Sequence, residues 1–149
     1  LVIAGGGPAV AELEDLARQL GVAGQTEFTG YVAREKLGKY YREADVLATA
    51  STMDTQSLVV LEAMACGLPV VGVEFAGLKE VIESGKNGFL VAPGDEVAMA
   101  EKILEILNDA KLAEKLGKRA RVLAEGQDIG KVVKELEEVY ARLRLVKII

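Results

Sequence analysis

The chain is 149 residues long and half of them are apolar, the length and composition of one ordinary core. A formal net charge of −5 and a pI near 4.9 argue against nucleic acid or an anionic membrane as the main partner, because both call for a surplus of cations. One cysteine, Cys66, and no histidine exclude a disulfide framework, a Cys-rich metal site and His-base chemistry from the chain's own residues.

In chain order, Leu1 to Ala4 is a short apolar run that ends in Gly5-Gly6-Gly7-Pro8. Val10, Leu13, Leu16, Ala17 and Leu20 then recur at helical spacing, so the opening reads as strand, tight turn, helix. The same grammar returns with a strand over Thr26 to Gly30, a helix through Leu37, Tyr40 and Tyr41, and a strand over Asp45 to Ala50. It returns again with a helix over Ser57 to Cys66, stopped by Gly67 and Pro69, and a strand over Pro69 to Val73. A short helix after Gly77, a glycine-rich turn at Gly85 to Gly88 and a strand from Phe89 to Val91 follow, and from Asp95 to about Arg142 only helical periodicity remains. Short strands that are apolar on both faces and separated by helices predict an α/β fold with a doubly wound parallel sheet. Ligands of such sheets bind beyond the carboxyl ends of the strands, here the loops after Ala4, Gly30, Ala50 and Val73. No stretch approaches the roughly 20 apolar residues of a membrane span and no leader pattern precedes the first strand, so the chain reads as soluble and cytoplasmic.

Glu62 is the conspicuous residue. It stands in Leu58-Val59-Val60-Leu61-Glu62-Ala63-Met64-Ala65-Cys66, a predicted helix with apolar residues on every face, which implies the sheet on one side and another cover on the other. A carboxylate in such a place either meets a basic side chain or accepts from hydroxyl donors on a ligand. Ahead of it, Thr55, Gln56 and Ser57 precede the helix amino terminus, whose unpaired N–H groups and dipole suit a diphosphate. Asp54, eight residues before Glu62, supplies a second carboxylate suited to sugar hydroxyls, although Asp54 or Ser57 would equally serve as a helix cap. The Gly5-Gly6-Gly7-Pro8 turn is a poor dinucleotide fingerprint, because Val10 stands where the third glycine belongs and Gly30, not an acid, ends the second strand. Neither a P-loop lysine nor an Asp-x-Asp pair is present. Lys111, Lys115, Lys118, Arg119 and Arg121 read as a solvated helix face with a lipid-headgroup alternative, and Tyr40 and Tyr41 as core or rim.

Taken together, Asp54-x7-Glu62 followed by Ala63-Met64-Ala65-Cys66-Gly67-Leu68-Pro69-Val70-Val71 closely resembles the donor-binding signature of family-4 retaining glycosyltransferases of the GT-B architecture. Leu1 to Pro8, Phe28 to Val32, Tyr41 to Val46, Gly77 to Ile82 and Gly85 to Asp95 resemble further family blocks in family order. The resemblance implies a single Rossmann-like domain over residues 1–149, corresponding to the C-terminal half of such an enzyme and lacking its first strand and helix. It implies Asp54 and Glu62 as the catalytic-site carboxylates, Asp54 toward the transferred sugar and Glu62 toward the ribose. Gln56, Ser57, Leu58 and Val59 would approach the diphosphate, and Tyr31 and Val32 the base. The implied donor is a nucleoside-diphosphate sugar of UDP or GDP type, with no metal or cofactor required, and the implied reaction is hexose transfer with retention at the anomeric carbon. Asp54 in place of the usual glutamate shortens the reach by one methylene, and Ser57 in place of the usual glycine adds a side chain beside the phosphate.

The resemblance also implies that the Arg and Lys that neutralise the leaving diphosphate, and the N-terminal acceptor domain, precede Leu1, so that the isolated chain is inactive. A lipid acceptor, hinted at by Thr55-Gln56, would bring the enzyme to the inner face of the membrane. Self-association is expected through an exposed sheet edge or through the apolar tail Leu143 to Ile149. The alternative functions are a non-catalytic sugar-nucleotide-binding or regulatory module and a sugar-nucleotide epimerase of similar architecture.

Overall fold

The computed structural model describes residues 1–53 and 57–143; Asp54, Gln56 and the tail beyond Leu143 lie outside the described residues. The chain forms two compact units, Leu1 to Tyr40 and Tyr41 onward.

In the first unit β1 (Val2–Ala4) and β2 (Glu27–Gly30) pair in parallel, Val2 with Glu27 and Ile3 with Phe28, before the register shifts to pair Ala4 with Gly30. Helix α1 (Val10–Gln19) connects them and carries the expected stripe, of which Ala17 is buried and Leu13, Leu16 and Leu20 stay exposed. Gly21, at a φ of 71°, ends α1 by letting Val22 N–H reach Ala17 C=O at 2.9 Å and its own N–H reach Arg18 C=O at 3.1 Å. Helix α2 (Arg34–Glu43) opens in this unit and ends in the next.

The second unit holds β3 (Leu47–Thr49), β4 (Val70–Val73) and β5 (Gly88–Val91), all parallel in the order β3-β4-β5. Every residue of β4 is buried, with Val70 and Val73 in one core and Val71 in another. Val70 packs with Val60 and Met64 of α3 (Leu58–Ala65), Leu78 of α4 (Ala76–Val81), Ile82, and Ala120. Val71 packs on the other side with Phe89, Ile106 of α5 (Glu96–Asn108) and Leu116 of α6 (Ala110–Gly126). Helices therefore cover both faces of the parallel ladder, as the sequence pattern requires. Met64, Leu78, Ile106 and Leu116 are fully buried, and each such side chain contributes about 1.5–3 kcal/mol relative to exposure.

Capping chemistry sets the element ends. Asp95 accepts from Ala98 N–H at 2.9 Å to open α5, and Asp109 accepts from Lys111 and Leu112 N–H at 3.0 Å to open α6. Helix α3 stops at Gly67, φ 83°, with Leu68 N–H on Ala63 C=O at 3.0 Å and Gly67 N–H on Met64 C=O at 2.9 Å. Gly117 of α6 lies so close to that cap that a Cβ on it would stand 2.1 Å from the Gly67 carbonyl oxygen. Buried Asn87 ties the turn before β5, accepting from Glu83 N–H at 2.8 Å and donating to Val81 C=O at 2.9 Å. In α7 (Ile129–Leu143) every described side chain is exposed, including the stripe Ile129, Val132, Val133, Leu136, Val139 and Tyr140. Among the described residues no helix is long and apolar enough to cross a membrane.

Candidate functional site

Four of the residues singled out in the sequence share α3 or its cap. Ser57 takes the N-cap position, buried at 2% exposure, and the first bond of the helical ladder runs from Leu61 N–H to its carbonyl at 3.0 Å. The amides of Leu58, Val59 and Val60 lie ahead of that ladder, the arrangement that makes a helix amino terminus attractive to anions. The Ser57 side chain makes no capping bond to α3, and Asp54, the other candidate cap, lies outside the described residues. Val60, Ala63 and Met64 face the core, whereas Leu58 and Val59 are 63% and 49% exposed. The second cover expected for this all-apolar helix comes from α6, whose Ala120 shares a core with Val60 and Met64, while Leu58 and Val59 of the first turn keep exposed side chains.

Glu62 is half-buried on the same helix. The hydroxyl of Tyr41, in the last turns of α2, donates to its Oε2 at 3.1 Å. Tyr41 is 9% exposed, and its phenol is pushed up to about 12 by burial first and by the charge and hydrogen bond of Glu62 second. The hydroxyl is therefore a permanent donor at physiological pH. Sequence reading gave Tyr41 a core or rim position, of which the structure shows the core, but missed its bond to Glu62. The two are 21 residues apart on different helices, and no local spacing signals such a pair.

In the first unit, Tyr31 and Val32 follow the carboxyl end of β2, where Tyr31 is 88% exposed and Val32 half-buried. Just before them the Gly30 carbonyl accepts from Gly5 N–H at 2.9 Å, drawing the glycine turn after β1 alongside. A Cβ on Gly6 would stand 3.9 Å from Tyr31 N, and a shallow cavity of about 190 Å³ runs along Ile3 to Val10 and Leu13. The turn and the Tyr31 segment lie together beyond two parallel strand ends, where open α/β sheets take ligands. On α6, Lys118 pairs with Glu114 and Arg121 with Glu125 at exposed positions, and Lys111, Lys115 and Arg119 are exposed beside them.

Residues 1–123 match the family model described as "Glycosyl transferases group 1". The chain belongs to the group 1 glycosyltransferase family. Among its relatives, N-acetyl-alpha-D-glucosaminyl L-malate synthase of Bacillus anthracis is 30% identical over 94% of this chain and 36% of its own length. D-inositol 3-phosphate glycosyltransferase of Xylanimonas cellulosilytica is 40% identical over 83% of this chain and 29% of its own length. The chain thus spans about a third of the length of these relatives. Of the solved structures, sucrose-phosphate synthase of Thermosynechococcus elongatus superposes with a TM-score of 0.86 at 30% identity, covering 99% of this chain and 39% of that one. Anabaena HepE in complex with UDP-glucose superposes with a TM-score of 0.84 at 28% identity, covering 95% of this chain and 40% of that one. The group 1 chain has the Rossmann-like α/β fold of a GT-B C-terminal domain.

Proposed function

We propose that this chain is the nucleotide-sugar donor unit of a two-domain, family-4 retaining glycosyltransferase, and that Glu62 holds the ribose hydroxyls of the donor. The observation that carries the reading is Glu62 itself: a half-buried carboxylate that accepts from a hydroxyl, one turn into a helix whose amino terminus follows the carboxyl end of a parallel strand. A carboxylate already suited to O–H donors, with the amides of a helix amino terminus beyond it, matches a nucleoside diphosphate in both chemistry and order. In this reading the backbone from Gln56 to Val59 receives the diphosphate, Asp54 contacts the hexose, and Tyr31 and Val32 lie beside the base. The reading is supported by membership of the group 1 family and by a neighbour, Anabaena HepE, solved with UDP-glucose. The acceptor site belongs to the other domain of the enzyme, so the 149-residue chain binds donor without transferring the sugar.

Calorimetric titration with UDP, GDP and ADP tests the donor site. A hydrogen bond to a charged group contributes about 1.5–3 kcal/mol, so Glu62→Ala should weaken nucleotide binding by roughly 10- to 100-fold. Nucleotide affinity unchanged in Glu62→Ala, or absent from the parent, would refute the assignment.

A further inference from the structure

Tyr41 lies outside every set of donor-contacting residues considered above, yet its hydroxyl donates to Glu62 Oε2. A glutamate side chain has three rotatable bonds, and ordering it when a ligand arrives costs affinity. Tyr41 is held by its own burial on α2, and its ring presents the hydroxyl 3.1 Å from Oε2. We propose that Tyr41 is a positioning residue that holds the Glu62 carboxylate ready for the ribose diol of the nucleotide donor. This rests on the donor-site reading of Glu62 given above.

The chemistry of the tether suits the task. An ionised carboxylate offers about four acceptor positions on two oxygens, and the phenol bond occupies only one of them. A lysine or arginine in place of Tyr41 would orient Glu62 equally well, but it would neutralise the charge that makes a carboxylate a strong acceptor for O–H groups. The phenol is a neutral donor, and it stays one because burial and Glu62 hold its ionisation far above physiological pH. Tyr41 thus orders Glu62 without drawing on its charge.

The test separates positioning from general damage. Parent, Tyr41→Phe, Glu62→Gln and the double variant are titrated with UDP and 2′,3′-dideoxy-UDP, and in parallel with GDP and its dideoxy counterpart, after thermal melts confirm folding. The parent should prefer the diphosphate that carries the ribose hydroxyls. Tyr41→Phe should weaken that ligand roughly two- to tenfold, the span set by ordering one flexible side chain, and leave the dideoxy ligand unchanged. In the Glu62→Gln background the same change should do nothing further. Equal weakening of both ligands, or no weakening of either, overturns the positioning role while leaving Glu62 in place. A parent preference that Glu62→Gln does not reduce, or a parent that binds neither nucleotide, overturns the ribose reading and the positioning role with it.

Discussion

Gly117→Ala should destabilise the protein, although alanine is the better helix former. In an ordinary helix interior the exchange stabilises by about 1 kcal/mol. At Gly117 the new Cβ would stand 2.1 Å from the Gly67 carbonyl oxygen and 3.2 Å from its carbonyl carbon, both backbone atoms that no rotamer change can move aside. Relief requires α6 to retreat from the end of α3 by about 1 Å, and a gap of that size forfeits up to half of each dispersion contact along the seam. That seam includes Leu116 and Ala120, both fully buried. Because the clash is with fixed backbone atoms, the overpacking cost falls at the upper end of the usual range, about 2–3 kcal/mol, and after the propensity gain of about 1 kcal/mol leaves a net loss of about 1–2 kcal/mol. Gly126→Ala is the internal control: it lies on the same helix with nothing within 4 Å of its Cβ position, and should be neutral or stabilising by a few tenths of a kcal/mol. Urea unfolding followed by far-UV circular dichroism measures both, and at a slope of about 2 kcal/mol per molar the Gly117 midpoint should fall by roughly 0.5–1 M. A Gly117→Ala midpoint equal to or above that of Gly126→Ala would refute the close approach of α6 to the α3 cap.

The Tyr41 phenol is held protonated to about pH 12 against an ordinary value of 10.0, so the stability it confers is complete below pH 10 and is lost as pH rises through 12. Alkaline unfolding of Tyr41→Phe should lack that component, and its tyrosinate absorbance should lack the last step. Leu58→Asp places a carboxylate in the open first turn of α3, where it should leave stability unchanged or raise it by about 0.3–1 kcal/mol through the helix dipole while abolishing UDP binding in the calorimeter by repelling the diphosphate. Asn87→Ala removes both ties across the turn before β5 and should cost about 1–3 kcal/mol in thermal unfolding, with no change in nucleotide affinity. Asp109→Ala deletes the cap of α6 and should cost about 1 kcal/mol by the same measure.

The alternation of short apolar runs with helical stripes was enough to read the α/β class, because each element's period is a local property of its residues. The stop of α3 was legible for the same reason: Gly67 followed by Leu68 and Pro69 is a helix terminator whatever surrounds it. Boundaries drifted where the cue was not local. The strand expected over Asp45 to Ala50 is paired only over Leu47–Thr49, since pairing depends on the neighbouring β4. Which strands share a ladder was equally hidden, because apolar composition marks a strand and not its partner. In the candidate site, Glu62 stood out as a charge in apolar company, but its tie to Tyr41 depends on two helices meeting and has no signature along the chain. Gly117 misleads in the opposite sense: it reads as a weak point in a helix, and only the approach of Gly67 gives it a purpose.

The Gly67–Gly117 approach also bears on how α3 is held. A contact between two side chains is compliant, since each can change rotamer or shrink by a methylene and absorb a displacement. A contact between two main chains has no such slack. Glu62 lies about 7.5 Å along the helix axis from Gly67 at the helical rise per residue, so a displacement of α6 at this contact bears on the helix that carries the carboxylate. If Glu62 holds the donor as proposed, the α6 contact and the ribose site share one helix, and nucleotide affinity should respond to strain applied at α6.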